Sequence, residues 1–432
     1  MQYILNYTEA PDSATLAGYE RAGGYRGFRK ALGLEPAAVI DIVKKSGLRG
    51  RGGAGFPTGM KWLFAFHDPK TPKYLLCNAD EGEPGTFKDR RILEKAPHLL
   101  IEGMLIAARA LKAEQGYIYL RGEYPAARKI LELAIAEAYE KGYLGENVMG
   151  SGGRFHLSIC RNAGAYICGE ETALINSLEG KRGQPRLKPP FPVSVGAFGK
   201  PTVVNNVETL ANLPFIMEAG PEAYLKIGNP QCPGNKLFPV SGHVDRPGLY
   251  ELPMGTPLKE IIHNHAGGVK GGKALKAVIP GGISAPVLTA DMTDCPMDFI
   301  SLPRYGSMLG SGAVMVFDET TCMVKVAWRA LKFFEYESCG KCTPCREGTG
   351  WLRTVLERIE AGGGRHSDIA LLEDICNNII GKTFCPLGDG AAFAALNFIK
   401  HFRADFEAHM GGRCPYENSA KSPGAGSGRP AA

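Results

Sequence analysis

The residues with the most specific spacing are cysteines. Cys339, Cys342 and Cys345 recur at three-residue steps in Glu337-Ser338-Cys339-Gly340-Lys341-Cys342-Thr343-Pro344-Cys345, and Cys385 stands directly before Pro386. Three close thiolates plus one distant Cys-Pro suit an iron–sulfur cluster: the short loop wraps three corners of a cubane and the remote cysteine closes the fourth. Structural zinc is the plainer alternative. It generally uses paired C-x-x-C knuckles, and the second pair is missing here. The chain has 12 cysteines, and the other eight, Cys77, Cys160, Cys168 and Cys376 among them, are scattered. They read as buried thiols packing like small hydrophobes.

A second candidate is Gly47-Leu48-Arg49-Gly50-Arg51-Gly52-Gly53-Ala54-Gly55-Phe56-Pro57-Thr58-Gly59, with six glycines in thirteen residues. No regular element tolerates that density, so it is a loop. Its bare backbone lets N–H groups approach a phosphate, although the pattern is neither a Walker A motif nor a strict G-x-G-x-x-G. Arg49, Arg51 and Lys61 offer countercharge, and Phe56 and Phe64 could stack on a base or flavin, or simply be core aromatics. Asp80, Glu81 and Glu83 follow a predicted strand, where α/β folds place their sites, though a solvated acidic turn explains them equally. Glu170 and Glu171 open a helix, whose dipole alone favours an acid there. Asn205-Asn206 offers directional hydrogen bonds or a helix cap.

The elements that must position these residues follow from periodicity. Strands are predicted at 73–78, 116–122 and 155–160, with helices at 36–45, from Met60, and at 98–112, 125–141 and 169–178. That βαβαβ order predicts an α/β domain with parallel pairing over 1–228, preceded by a polar Tyr/Gly-rich arm at 1–30. Lys88-Asp89-Arg90-Arg91 reads as a solvated turn or a small-anion contact. Residues 229–315 read as a small α+β module, with short strands at 237–241, 277–279 and 313–317 and one helix at 257–265. Residues 316–412 carry helical periodicity at 321–336, 349–361, 369–380 and 390–409, a four-helix bundle. The Ser/Gly/Pro/Ala-rich stretch within 413–432 is expected to be a disordered tail.

Composition narrows the function classes. The 432 residues include 44% hydrophobic and 22% charged side chains, ordinary for a folded protein. Fifty basic against 44 acidic residues, with no basic face, argue against nucleic acid as a partner. No stretch approaches the roughly 20 apolar residues of a membrane span, and no secretory signal is visible at Met1-Gln2-Tyr3-Ile4-Leu5. The expectation is a cytoplasmic protein that reaches a membrane only through partner subunits.

Taken in order, Gly47–Gly59 followed by Lys61-Trp62, then Asn78–Arg90, Ala163–Gly180, Lys188–Pro192, Gly199–Thr209 and Glu337–Arg346 resemble the NADH-binding flavoprotein subunit of bacterial NADH–quinone oxidoreductase, respiratory complex I. The chain is similar also to the diaphorase subunits of NAD-linked hydrogenases and formate dehydrogenases. The resemblance covers about residues 20–410 and implies a Rossmann-like FMN domain, a ubiquitin-like β-grasp (SLBB-like) domain and a four-helix domain with one 4Fe–4S cluster. It implies that Gly50, Arg51, Gly52, Lys61, Asn78, Asp80, Glu81, Tyr166, Gly169, Glu170, Val204, Asn205 and Asn206 line FMN. Phe56, Phe64 and Phe191 would surround the adenine of NADH, and Glu83, Glu171 and Lys188 would touch the dinucleotide. Cys339, Cys342, Cys345 and Cys385 would ligate the cluster. No side chain is assigned as an acid–base catalyst, because the cofactor carries the chemistry. The implied partners are the other subunits of the hydrophilic arm, above all the small 2Fe–2S subunit and the large iron–sulfur subunit, on the cytoplasmic face of the membrane. Asn162 departs from the family, which more often has Gly before Ala163-Gly164; a larger side chain there would tighten the turn before the flavin site. A hydrogenase or formate dehydrogenase partner, and a non-catalytic zinc scaffold, stand as alternatives at this point.

Overall fold

The computed structural model describes residues 1–162, 164–412 and 414–416, and the chain divides into two units. The first comprises Met1–Gly272 and Val278–Val316; the second comprises Lys273–Ala277 and the chain from Phe317 on.

The first unit is built on a parallel sheet of four strands, β1 (Tyr74–Ala79), β2 (Gln115–Leu120), β3 (His156–Arg161) and β4 (Thr202–Asn206), in the order β3-β2-β1-β4. Sequence periodicity found the first three. It missed β4, which has only five residues and begins just after a Pro/Gly-rich stretch. β1 therefore has β2 on one side and β4 on the other, with Asn78 paired in register with both Tyr119 and Asn206. The sheet's winding reverses between β1 and β4. In open α/β sheets such a reversal opens a crevice at the carboxyl ends of the strands.

Helix Pro97–Leu111 is buried at every position but Arg109, as an element apolar all round requires. Gly103 brings it against the backbone of Leu210, where a Cβ would sit 2.2 Å from the carbonyl oxygen. Its one buried acid, Glu102, explains the first correction to the sequence reading. Residues 1–30 are not a polar arm: they form short helices (Leu5–Glu9, Leu16–Arg21, Arg26–Leu32) whose Tyr3, Ile4, Tyr19, Tyr25 and Phe28 enter the core. Glu102 accepts hydrogen bonds from the Tyr19 hydroxyl and from the N–H groups of Tyr25 (2.7 Å) and Phe28 (2.8 Å). His98 Nδ1 pairs with the Tyr25 hydroxyl at 2.8 Å. A tyrosine-rich segment looks polar in sequence, but each ring buries apolar area once its hydroxyl has a partner.

The second correction concerns Lys88-Asp89-Arg90-Arg91. This is the start of helix Lys88–Lys95, and Lys88 and Asp89 are buried rather than solvated. Lys88 pairs with Asp89 (2.7 Å) and Glu208 (3.1 Å), and the Asn206 amide donates to Asp89.

A five-stranded mixed sheet follows: β5 (Asn235–Gly242), β6 (Gly248–Pro253), β7 (Leu275–Ile279), β8 (Leu288–Thr289) and β9 (Val314–Asp318), in the order β8-β7-β9-β5-β6. β5 runs antiparallel to β6 and parallel to β9. Of these, β6 and β8 were not visible in the periodicity.

The second unit is helical, with helices Met323–Glu337, Thr343–Arg358, Ser367–Ile379 and Pro386–Glu407. The second helix begins six residues before the expected Thr349, because Pro344 occupies its first turn, where a missing N–H costs nothing. Of the expected tail, Cys414–Tyr416 packs on the bundle: Cys414 is buried and the Tyr416 hydroxyl donates to Asp405 (3.0 Å). The remainder lies outside the described residues. Among the described residues, no helix is long and apolar enough to cross a membrane.

Candidate functional site

The carboxyl ends of β1 and β4 bring Asn78, Asp80, Asn205 and Asn206 to one crevice mouth. The Asn78 amide donates to the carbonyl of Gly169 (2.8 Å), so the turn Tyr166–Gly169 lies over the end of β1. The Asn78 side-chain oxygen accepts from the Asp80 N–H (3.1 Å). Asn162 ties the next strand end to the same place: it accepts from Gly122 and Gly164 N–H (2.9 and 2.6 Å) and donates to Asp80 Oδ1 (2.9 Å). The Asn162 side chain thus ties this turn to the end of β1.

The glycine loop is pinned to the same corner. Gly50 N–H donates to Phe56 O (2.9 Å), closing the loop on itself, and Arg51 N–H donates to Thr209 Oγ1 (2.8 Å). Gly52 faces Asn206, where a Cβ would come within 3.0 Å of the asparagine Cβ. Gly55, at φ +66°, packs on Phe299, whose ring leaves a Cβ only 2.7 Å. Bare backbone is therefore required here for the fold as well as for a ligand.

Arg51 does not serve as countercharge at the loop surface. Its side chain is fully buried and donates through Nη2 to the Tyr224 hydroxyl (2.9 Å) and Pro233 O (2.8 Å). It belongs to a buried charge network. Glu208, fully buried, binds Lys236 (2.6 Å) and Lys88 (3.1 Å) and accepts from Leu237 N–H (2.8 Å). Lys88 also reaches Asp89 Oδ1 (2.7 Å) and Asn206 Oδ1 (3.1 Å), while Asn206 donates to Asp89 Oδ2 (2.7 Å). Burial opposes the Glu208 charge, but Lys236, Lys88 and Arg51 outweigh it and hold the carboxyl below its usual range. One carboxylate cannot compensate both lysines equally. Burial, with repulsion from Lys88 and Arg51, lowers the Lys236 ammonium to about 7 despite its bond to Glu208.

Glu81 is likewise turned inward. Its carboxylate accepts the N–H groups of Asp89 (2.8 Å) and Arg90 (3.0 Å) and the Tyr124 hydroxyl (2.9 Å), capping helix Lys88–Lys95. Burial foremost, then Asp89, pushes it up to about 7. The acidic turn therefore has two structural halves. Glu83 accepts from the Tyr166 hydroxyl (2.5 Å) and from Ser284 N–H and Oγ (both 2.7 Å). Burial raises the Glu83 carboxyl, and these hydrogen bonds oppose the rise.

On the other side, Glu170 caps helix Glu171–Leu178 through Thr172 and Ala173 N–H (2.9 Å each) and binds Lys188 (2.8 Å). Glu171 sits between Lys61 (2.9 Å) and Lys188 (3.2 Å). Burial would raise its carboxyl, but the two lysines prevail and keep it below the usual range. Lys61 also donates to Val204 O (3.1 Å), and the Trp62 indole N–H donates to Asn205 Oδ1 (2.9 Å), so the helix Thr58–His67 is locked to β4. Phe64, one turn beyond Lys61, and Phe56 and Phe191 are each about half exposed, at 50%, 48% and 55%.

In the helical unit, Cys339 and Cys342 occupy the turn between the first two helices, Cys345 the first turn of the second, and Cys385 the N-cap of the fourth. Phe384 N–H points at Cys342 Sγ (3.5 Å), bringing the remote Cys-Pro to the local motif. Ser338 Oγ lies 3.2 Å from Cys345 Sγ. Burial pushes the Cys345 thiol up to about 11, and the neighbouring Cys342 and Cys339 add to the rise. Four cysteine sulfurs gathered at one end of the bundle are a soft donor set suited to an iron–sulfur core, which takes them as thiolates.

Sequence reasoning did not find Lys88, Asp89, Glu208, Thr209 or Ser284 as parts of this architecture. The signal for Glu208 was its position directly after Asn205-Asn206-Val207, which only gains meaning once β4 is recognised.

Three family models match in chain order: the Nuo51 FMN-binding domain over residues 43–215, an SLBB domain over 236–316, and the NADH-ubiquinone oxidoreductase-F iron-sulfur binding region over 325–409. The second NADH-quinone oxidoreductase-F of Rhizobium meliloti is 57% identical over 96% of this chain and 99% of its own length. This chain belongs to the NADH-quinone oxidoreductase-F family. The family's member in Escherichia coli is 51% identical over 93% of this chain and 90% of its own. Among solved structures, an NAD+-reducing NiFe hydrogenase in the air-oxidised state superposes with a TM-score of 0.83 at 38% identity, covering 95% of this chain and 67% of that one. The same type of hydrogenase in the H2-reduced state gives 0.82 at 40% identity, covering 89% and 64%. This chain thus spans about two thirds of the length of those hydrogenase chains and nearly the whole length of the two oxidoreductase relatives.

Proposed function

We propose that this chain is the NADH-oxidising subunit of a proton-translocating NADH–quinone oxidoreductase, with FMN in the β1/β4 crevice and a 4Fe–4S cluster on Cys339, Cys342, Cys345 and Cys385. The observation that carries the reading is the convergence of Asn78, Asp80, Asn206 and the glycine loop on the one point where the sheet reverses. FMN, when bound, supplies the conversion of a two-electron hydride donor into single electrons that an iron–sulfur cluster can take.

The chain's own residues bind and orient. The glycine loop offers its backbone N–H groups to the flavin phosphate, and buried Lys88 and Arg51 bias the potential there toward an anion. Asn78 and Asp80, held by Gly169 and Asn162, present fixed polar groups to the flavin ring. Phe56, Phe64 and Phe191 supply exposed ring faces for the adenine. Lys61, Glu171 and Lys188 form a paired row suited to the dinucleotide's ribose and phosphates. Glu81 acts by capping helix Lys88–Lys95, and Arg51 by anchoring the loop from behind; neither turns its charged group outward.

The partners that fit this reading are the small 2Fe–2S subunit and the large iron–sulfur subunit of the hydrophilic arm, and the location is the cytoplasmic face of the membrane, held through the complex. The hydrogenase diaphorase alternative is weaker because the match leaves about a third of those chains uncovered, whereas the curated relatives match nearly end to end. Low-temperature EPR on anaerobically purified protein, before and after NADH, tests the electron route. A new reduced 4Fe–4S signal is expected; its absence at full iron and flavin occupancy would sink the proposed flow.

A further inference from the structure

Four side chains in the helical unit play no part in the cluster motif yet meet at one point. Cys322, Glu360, His409 and Cys414 each offer one ligand atom, and all four atoms lie within 4.8 Å of one another. Cys322 and His409 are buried, as is Cys414; Glu360 is partly so. We propose that these four residues form a structural zinc site.

The distances support coordination rather than chance packing. Zinc bonds of about 2.0–2.3 Å in a tetrahedron place neighbouring ligand atoms about 3.3–3.8 Å apart. Cys322 Sγ lies 3.4 Å from His409 Nε2 and 3.5 Å from Glu360 Oε2, and His409 Nε2 lies 3.5 Å from Glu360 Oε2. Three edges of a tetrahedron are thus already at zinc spacing.

The donors are also prepared for a metal. His409 Nδ1–H donates to the Asp405 carbonyl at 2.6 Å, which fixes the ring and turns Nε2 toward the cluster. That is the arrangement in which metal-binding histidines are held. Cys322 is the N-cap of helix Met323–Glu337 and its sulfur accepts the Lys325 N–H (3.3 Å), which fixes the position of the sulfur. Cys414 is placed by Tyr416 two residues on, whose hydroxyl binds Asp405 while its ring lies under Lys276, 4.2 Å from the ammonium. Two thiolates, one imidazole and one carboxylate fill all four positions, leaving none for substrate. The set suits zinc better than calcium or magnesium, which prefer oxygen.

The location explains what such a site would do. Cys322 begins the first helix, Glu360 follows the second, and His409 and Cys414 follow the fourth. The cluster cysteines sit at the opposite ends of these same helices. Met323–Glu337 has 15 residues, so the two sites lie about 22 Å apart along it. Zinc would fasten one end of the bundle as the iron–sulfur cluster fastens the other.

The test uses the full chain with its cluster, purified anaerobically from zinc-replete cells and analysed for both metals. About one zinc per chain is expected beside the iron, with X-ray absorption at the zinc edge showing two sulfur and two lighter ligands. His409→Gln and Cys414→Ser should each lose the zinc and keep the iron, while Cys385→Ala should do the reverse. Should the variants fail to fold, the wild-type metal content and zinc-edge spectrum decide alone. Absence of zinc, a Cys322–Cys414 disulfide in the native protein, or an all-sulfur zinc that Cys385→Ala removes would each overturn the proposal.

Discussion

The cluster motif and the flavin crevice encode their sites in opposite ways. Three of the four cysteines proposed for the cluster fall within seven residues, and the fourth announces itself by the proline after it. The crevice draws on the glycine loop, the ends of β1 and β4, the turn at Tyr166–Gly169, and a charge network reaching from Arg51 to Lys236. The first is a set of ligands that brings its own geometry; the second is a geometry that exists only once the sheet has formed. Damage to the one should therefore be chemical and local, and damage to the other should be a loss of stability.

Cys385→Ala gives the largest expected effect. Removing the fourth ligand should abolish the 4Fe–4S EPR signal and the bound iron, yet leave NADH–ferricyanide activity, because ferricyanide can collect electrons at the flavin site. Normal iron content in that variant would show that Cys385 is not a ligand. Glu208→Ala is the converse. It strands Lys88 and Lys236, both fully buried, without their shared carboxylate. Breaking a buried pair in this way costs about 3–5 kcal/mol. Thermal unfolding followed by flavin release should shift strongly downward while the iron content per folded chain holds. An unchanged unfolding temperature would mean that the network is not structural.

A subtler contrast lies within the crevice. Glu171 is flanked by Lys61 and Lys188 rather than buried behind the loop. Glu171→Ala should cost little stability but leave Lys61 without its carboxylate and Lys188 with Glu170 alone, making that edge more positive. A 2′-phosphate would then be better tolerated, and the ratio of kcat/KM for NADPH over NADH should rise by about tenfold, worth about 1.4 kcal/mol. An unchanged ratio would remove Glu171 from the ribose site.

The same contrast explains what was legible in the sequence. The grouping of Cys339, Cys342 and Cys345, the glycine loop and the first three strands are visible in short-range spacing and alternation, while Cys385 is marked only by the proline after it. β4 was not legible, because five residues after a Pro/Gly-rich stretch carry too little periodicity. Without β4 there was no reversal point; the cap reading of Asn205-Asn206 does hold for Asn206, which accepts Glu208 N–H (3.0 Å) at the start of helix Val207–Ala211 and also donates to Asp89 (2.7 Å). The 1–30 segment and Lys88-Asp89 look solvated in sequence for a related reason: their polar atoms are satisfied by Glu102 and Glu208, buried partners distant in the chain. An acid within the otherwise apolar run His98–Lys112 was the available clue. The remote set of Cys322, Glu360, His409 and Cys414 has no local spacing at all between its first two members, and only the fold brings it together.

Glu81 offers the smallest but most diagnostic test of how the crevice differs from the cysteine motif, because its effect should appear only through pH. Its carboxyl is pushed up to about 7 from an ordinary 4.5, by burial first and by Asp89 second. Between those values the folded chain keeps a proton that the unfolded chain has released. The group's contribution to stability is therefore complete below about pH 4.5 and is lost as pH rises through about 7. Glu81→Gln cannot ionise, so it should lose this dependence. The variant also replaces an acceptor of two backbone N–H groups and the Tyr124 hydroxyl by an amide, which imposes a constant penalty of about 1 kcal/mol or more. The informative quantity is thus the slope rather than the level. Measured from about pH 5 to pH 8, the unfolding temperature of the wild type should fall relative to that of the variant as pH rises. Parallel curves would show that Glu81 is ionised throughout and that the helix cap, not a retained proton, is all it contributes.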